Sequence, residues 1–267
     1  MGKREFPLDL RAREAETPAM GRYTFGESDV AAHRLDLLAS VFEPTTRDLL
    51  TTAVGGGRRS VVDLGCGPGY STRLIHQTCA PAATVGLDSS VRFVELATGL
   101  TSEPMVSFAV HDVTRLPLPG EPFEALYARL LLAHLPDALG LVEGWRGAVG
   151  PGGVVVLEEV QTIETPLGVL QAYEDMVAAV VEGGGGSMYA GLLLEPLGGR
   201  LVRIDVEPAL AARIYRMNLT NWRDDAIAQG LAGPHEVDRI AAGLDALQSG
   251  AISGSVGWVV RQVVLAG

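Results

Sequence analysis

The chain is predicted to fold as a doubly wound α/β domain with seven strands, helices on both faces and a helical segment ahead of the sheet. Three observations predict this. The run Val61-Val62-Asp63-Leu64-Gly65-Cys66-Gly67-Pro68-Gly69-Tyr70 reads as a buried strand, a tight glycine loop and a helix start, the place where an open α/β sheet takes up a nucleotide-like ligand. Short apolar runs then alternate with helical patterns, the order that builds a parallel sheet with crossover helices. Val154 to Leu157 is an unbroken apolar run, as expected of a strand covered on both faces.

In chain order, residues 1–20 are charged and irregular (Arg11, Arg13, Glu14, Glu16, Pro18) and are expected to be a mobile tail. Residues 21–57 are expected to form a helical lid. There Val30, Leu37, Leu38 and Val41 recur at helical spacing behind a Ser28 or Asp29 cap,. A second short helix is placed from Thr45 to Thr52, before the Gly55-Gly56-Gly57 break. The core, residues 58–267, is expected to carry strands near 60–64, 83–87, 105–110, 123–128, 153–160, 200–206 and 256–265, the last returning beside the sixth. Within it, 165–232 is set apart as a substrate-pocket insertion. Leu167 to Val181 reads as helix, and Gly183 to Gly186 are four consecutive glycines. Such a run loses backbone entropy when ordered, so it reads as a flexible loop or as a hinge at a pocket mouth. The apolar and aromatic residues of Arg213 to Asp225 (Ile214, Tyr215, Trp222) fit either a pocket wall or plain core.

Two ligands compete for the glycine loop. A dinucleotide fingerprint needs its third glycine three residues after the second, where this chain has Tyr70. A phosphate cradle wants successive backbone N–H groups, and Pro68 has none. The loop lets a ligand approach its backbone closely but suits a nucleoside without phosphates better than a pyrophosphate.

Val62 to Gly69 resembles the first motif of class I S-adenosylmethionine-dependent methyltransferases. Three further segments match at suitable intervals: Val85-Gly86-Leu87-Asp88, Val106 to Val113, and Phe123 to Asp137 followed by Val149-Gly150-Pro151-Gly152-Gly153. The resemblance implies S-adenosyl-L-methionine as cofactor, held by Asp63, Gly65, Cys66, Gly67, Asp88, Ser89, Asp112, Val113 and Arg129. By it, Asp88, 19 residues past Gly69, accepts from the ribose hydroxyls, Asp112 from the adenine amino group, and the Val113 N–H meets a ring nitrogen. The Ala128-Arg129 backbone lies beside the methionine part, and Tyr23 reaches the cofactor carboxylate from the lid with Phe25 nearby. It also implies an antiparallel seventh strand, making the sheet mostly parallel. Two of these residues have a plainer reading: Asp88 as a cap for the helix near Ser90, and Asp112 as a turn former.

A sulfonium methyl donor is already activated, so positioning the acceptor does most of the work, and a general base is optional. His134 is the candidate for that base. In this resemblance, however, a histidine in a His-Leu-Pro-Asp segment is usually structural. Phe25, Glu159 and Tyr173 are candidate substrate contacts, with one of Glu158 and Glu159 reaching the substrate and the other facing solvent. The expected reaction is in-line methyl transfer to oxygen or nitrogen, less readily carbon, of a small organic metabolite. Alternatives are a protein that binds the cofactor without methylating, as a cyclase or binding module, and a nicotinamide-dinucleotide oxidoreductase.

Composition narrows the partners. A formal net charge of −11 argues against nucleic acid, which needs a clustered basic face. Cys66 and Cys79 are the two cysteines, too few for a disulfide framework, and the histidines form no zinc-type pair, so no metal is expected. No apolar stretch approaches the ~18 residues of a membrane span, and Met-Gly-Lys-Arg-Glu-Phe-Pro lacks the apolar core of a signal peptide. A cytoplasmic monomer or homodimer acting on a small molecule is the expectation.

Overall fold

The computed structural model describes residues 27–267; the proposed tail and the first residues of the lid lie outside that range. In order the elements are α1 (Asp29–Ala53), β1 (Ser60–Leu64), α2 (Tyr70–Cys79), β2 (Ala83–Asp88), α3 (Val91–Gly99), β3 (Val106–Val110), β4 (Phe123–Arg129), a 3-10 turn (Leu132–His134), α4 (Ala138–Arg146), β5 (Val149–Glu164), α5 (Gly168–Gly183), α6 (Ala190–Leu193), β6 (Arg200–Val206), α7 (Pro208–Ala228), α8 (Pro234–Gln248) and β7 (Val256–Ala266). All seven strands fall where the sequence places them, within a few residues at most ends.

The sheet order is β3-β2-β1-β4-β5-β7-β6. β1 to β5 run parallel, and β7 lies antiparallel between β5 and β6. The sheet is therefore mostly parallel, with the reversed seventh strand that the resemblance implies. The order in which strands are added reverses between β1 and β4, and ligands of open α/β sheets bind outside the carboxyl ends of the strands at such a switch point.

Alternate residues of each strand feed opposite layers, because side chains along a strand alternate faces. Val61, Ala125, Tyr127 and Val156 pack with Leu50, Leu74 and Ile75 of α1 and α2. Val62, Leu64, Leu126 and Leu157 pack with Val142 and Trp145 of α4 on the other face. A third cluster joins α5, α7 and α8 to the far ends of β5, β6 and β7 around Tyr173, Tyr215, Trp222 and Trp258.

Three elements differ from the expectation. First, α1 is one helix, not two, and runs through Pro44. Proline deletes one main-chain bond and crowds the preceding turn, yet Phe42, Thr46, Leu49 and Leu50 stay buried on both sides of it, which offsets the loss. Second, β5 starts at Val149. Phe123 pairs with Val149 but Ala125 with Val154, so Gly150 to Gly153 are looped out of the ladder, with Gly152 at φ +77°. Third, β5 continues to Glu164 and pairs with β7 as far as Gly257, carrying Val160 and Ile163 past the sheet into the third cluster. The 165–232 stretch also contains β6, a strand of the main sheet, so the helices over the pocket arrive in two blocks on either side of it.

Candidate active site

β1 delivers the chain into three glycines in the left-handed region, Gly65 (φ +64°), Gly67 (φ +50°) and Gly69 (φ +78°), a conformation that side chains with a Cβ resist. A Cβ on Gly65 would sit 2.6 Å from Leu131 Cδ1, and one on Gly69 2.7 Å from the Phe108 ring. Both glycines are thus required by close approach as well as by φ. Asp88 ends β2 and braces the loop: Gly67 N–H donates to Oδ2 at 2.8 Å and Ser90 N–H to Oδ1 at 2.8 Å. Burial pushes its carboxyl above the usual range. A carboxylate offers about four lone-pair sites, so ribose hydroxyls have room to donate beside these two backbone groups. The capping role belongs to Ser90, two residues on, whose Oγ accepts from Phe93 N–H at 3.1 Å.

A cavity of about 1110 Å³ runs from this loop across the carboxyl ends of the strands to the third cluster. Of the expected site residues, Gly65, Cys66, Gly67, Asp88, Ser89, Val113, Arg129, His134 and Glu159 line it. Tyr23 and Phe25 lie outside the described residues. Arg129 stands with its guanidinium 5.4 Å from the Phe42 ring centre and donates to Thr46 Oγ1 at 3.3 Å.

Three of the expected residues are not on the cavity wall. Asp63 is buried, and its Oδ2 accepts from Ser71 Oγ (2.7 Å) and Thr72 Oγ1 (2.6 Å). It ties the first turn of α2 to β1, and burial pushes its carboxyl up to about 6. Asp112 accepts from Thr114 N–H and Oγ1 at Oδ1 (3.0 and 2.7 Å) and faces Arg115 at 3.3 Å; its carboxylate serves the turn. Tyr173 is fully buried behind the wall, its ring stacked on Tyr215 at 4.4 Å between centroids. Only Tyr215 reaches the cavity.

The adjacent acids Glu158 and Glu159, within β5, also depart from the expectation, because neither faces solvent. Glu158 is 0% exposed and accepts from Thr46 Oγ1 (2.5 Å), Tyr127 OH (2.8 Å) and Gln262 Nε2 (2.6 Å), joining α1, β4 and β7. Glu159, on the opposite face, fixes the Leu132–His134 turn: Leu131 and Leu132 N–H each donate to its Oε1 at 2.8 Å. Burial, only partly offset by those bonds, pushes its carboxyl up to about 8. His134 is pushed down to about 3, by burial first and the Arg34 charge second. At neutral pH its imidazole is uncharged, with one ring N–H, and is a weak proton acceptor, which suits a wall residue better than a base,.

The expected stability profile follows from these buried acids. Glu159 and Glu174, the latter pushed up to about 7 by burial, keep protons in the folded chain that they lose when unfolded above the usual carboxylate range. Folded protein then binds more protons than unfolded, so their contribution is full at low pH and is lost as pH rises through about 7 to about 8,. Melting scans should show stability falling by on the order of 2 kcal/mol from pH 6 to pH 8. A flat or rising profile would contradict the assignment.

Sequence reasoning missed part of the wall: Arg34 and Phe42 of α1, Met188, Asn218 of α7 and Trp258 of β7. A signal existed for Arg34, which lies four residues from both Val30 and Leu38 on the apolar stripe of α1. The four-glycine run is a tight dock. A Cβ on Gly186 would lie 2.2 Å from the Ala133 carbonyl oxygen, and that oxygen accepts from Ser187 N–H at 2.9 Å. The end of α5 is thereby pinned to the turn that Glu159 fixes.

The fold and this loop set are similar to those of class I S-adenosylmethionine-dependent methyltransferases. Residues 62–157 match the methyltransferase domain family. The trans-aconitate 2-methyltransferase of Azoarcus sp. strain BH72 is 32% identical over 120 residues, 45% of this chain and 46% of the relative. That of Variovorax paradoxus strain S110 is 32% identical over 139 residues, 52% and 53% of the two chains. The chain spans about half the length of the curated relatives it matches. Among solved structures, the phosphoethanolamine N-methyltransferase 2 of Haemonchus contortus superposes with a TM-score of 0.51 at 15% identity, covering 88% of this chain and 57% of that one. The YcgJ protein of Bacillus subtilis gives 0.50 at 14% identity, covering 87% and 97%. Identities this low show the fold alone.

Proposed function

We propose that the chain transfers a methyl group from S-adenosylmethionine to an oxygen or nitrogen of a small organic acceptor. The observation that carries this reading is the single cavity that joins the glycine loop and Asp88 to an apolar wall made by α1, α5, α7 and β7. A ligand pocket ordinarily spans roughly 300–1,000 Å³, so a cavity of about 1110 Å³ has room for a nucleoside cofactor and a second molecule together. The donor, when bound, supplies a methyl group on a positively charged sulfur with a neutral thioether as leaving group. Asp88 and the backbone of Gly65 to Gly67 would hold the ribose, and the Val113 N–H would meet the adenine. Arg129 and the backbone after β4 border the methionine end. The fit rests on the glycine loop, where side chains are excluded and a carboxylate stands at the cavity edge.

Without a strong base at His134, the chain's own contribution is placement. The 3-10 turn, the α5 dock and α1 hold the acceptor against the donor, and orientation of this kind supplies ~7–11 kcal/mol of a barrier. The curated relatives named for trans-aconitate support an acceptor of small-metabolite type. A dinucleotide enzyme is disfavoured by Pro68 and Tyr70 in the loop and by the reversed β7 between β5 and β6.

Incubation with methyl-labelled S-adenosylmethionine and a panel of phenols, carboxylic acids and amines tests the reading. Label on oxygen or nitrogen of an acceptor, with matching S-adenosylhomocysteine, is the expected result. Tight donor binding with no transfer to any member would favour a protein that holds the cofactor without methylating.

A further inference from the structure

The half of the cavity away from the glycine loop has a chemistry of its own. Beside Arg34 and Asn218, the apolar residues Phe42, Ile163, Met188, Ile214, Tyr215 and Trp258 form its wall. Three of these are aromatic and lie near one another: Phe42 and Trp258 are 5.8 Å apart between ring centres, and Tyr215 and Trp258 6.3 Å apart with planes at 12°. The Trp258 Nε1–H donates to Tyr215 OH at 3.1 Å and the Tyr215 hydroxyl bonds to the Glu174 carboxyl, so neither ring presents an unmet donor there. The charged groups bordering the whole cavity are Arg34 and Arg129 on one side of the ledger and Glu27, Asp88 and Glu159 on the other. Arg129 is already engaged with Thr46 and the Phe42 ring. Burying a charge costs heavily unless a partner meets it, and this wall has no surplus of cations for a multiply charged acid. Flat apolar faces, by contrast, gain from stacking on aromatic rings as well as from loss of wet surface.

We propose that the acceptor is an uncharged, ring-containing, predominantly apolar molecule carrying one nucleophilic hydroxyl or amine, and not a polycarboxylate of the kind named in the curated relatives. This inference rests on the methyltransferase reading, since the molecule is an acceptor only if the donor occupies the glycine-loop half. In the transfer, the acceptor oxygen or nitrogen forms the new bond to the methyl carbon as the carbon–sulfur bond breaks. The electron pair of that bond stays on sulfur as the thioether, and the acceptor's proton leaves to water.

The test uses the whole chain saturated with S-adenosylhomocysteine and Nile red, a neutral polycyclic dye, as the probe. Micromolar dye binding with blue-shifted emission is expected, lowered by about tenfold or more in Met188→Trp and Ile163→Trp. Both positions are half-buried, so added bulk fills the cavity without entering the packed core. S-Adenosylhomocysteine affinity should stay within about twofold in both variants, and millimolar trans-aconitate should neither displace the dye nor accept label. Dye binding that ignores both substitutions, or displacement or methylation of trans-aconitate, would overturn the proposal. Failure of S-adenosylhomocysteine to bind the unmodified chain would instead overturn the methyltransferase reading, and the acceptor proposal with it, whatever the dye does.

Discussion

Asp88→Ala should lower the affinity for S-adenosylhomocysteine by about a hundredfold or more, read by calorimetric titration. The carboxylate has two tasks in the structure. It receives the Gly67 and Ser90 N–H groups and so holds the left-handed Gly67 in place, and it presents its remaining lone pairs to the cavity. Hydrogen bonds to a charged group contribute about 1.5–3 kcal/mol each, so losing ribose contacts alone accounts for about a hundredfold, each 1.4 kcal/mol being tenfold. Loosening of the loop adds to it. Asp88→Asn separates the two tasks, because one oxygen still accepts from the backbone while the charge is gone; it should fall between the unmodified chain and the alanine variant. Equal affinity in all three would remove Asp88 from the binding site and leave it as a brace alone.

Glu158→Leu should be the most destabilising single change near the site, by at least about 3 kcal/mol in urea unfolding. Three buried donors converge on this carboxylate: Thr46 from α1, Tyr127 from β4 and Gln262 from β7. Leucine fills the volume but meets none of them, and each buried donor left without an acceptor costs about 1–3 kcal/mol. Because Thr46 lies one turn from Phe42 on the helix that roofs the cavity, donor and acceptor binding should weaken together with stability. Glu158→Gln retains one acceptor oxygen and should lose less than half as much. A Glu158→Leu variant as stable as the parent would mean that α1 is held by apolar packing alone.

The strands and the glycine loop were legible because they are written in backbone terms. Each strand is a short apolar run bounded by glycine, proline or acid, and Gly65, Gly67 and Gly69 stand where the chain must turn left-handed. Pro44 is a local stop signal within α1, while the burial of Phe42 and Leu50 that overrides it comes from β-strands and helices far along the chain. Side-chain direction was harder. Asp63 and Asp112 sit at the expected strand ends but turn to nearby hydroxyls, those of Ser71, Thr72 and Thr114, a choice that spacing alone does not reveal. For Glu158 and Glu159 the sequence does hold a clue: they follow the unbroken apolar run of β5, whose covering on both faces keeps both acids off the outer surface. The pocket's far wall was the least legible part, since it is assembled from α1, α5, α7 and β7, which share no motif and meet only in the folded chain.

The most direct test of the central claim is a crystal structure of the chain with S-adenosylhomocysteine. The account predicts the ribose hydroxyls on Asp88, the adenine against Val113, the methionine end near Arg129, and open space left beside Met188 and Trp258. A nucleoside bound elsewhere, or one filling the aromatic half of the cavity with the glycine loop untouched, would contradict it.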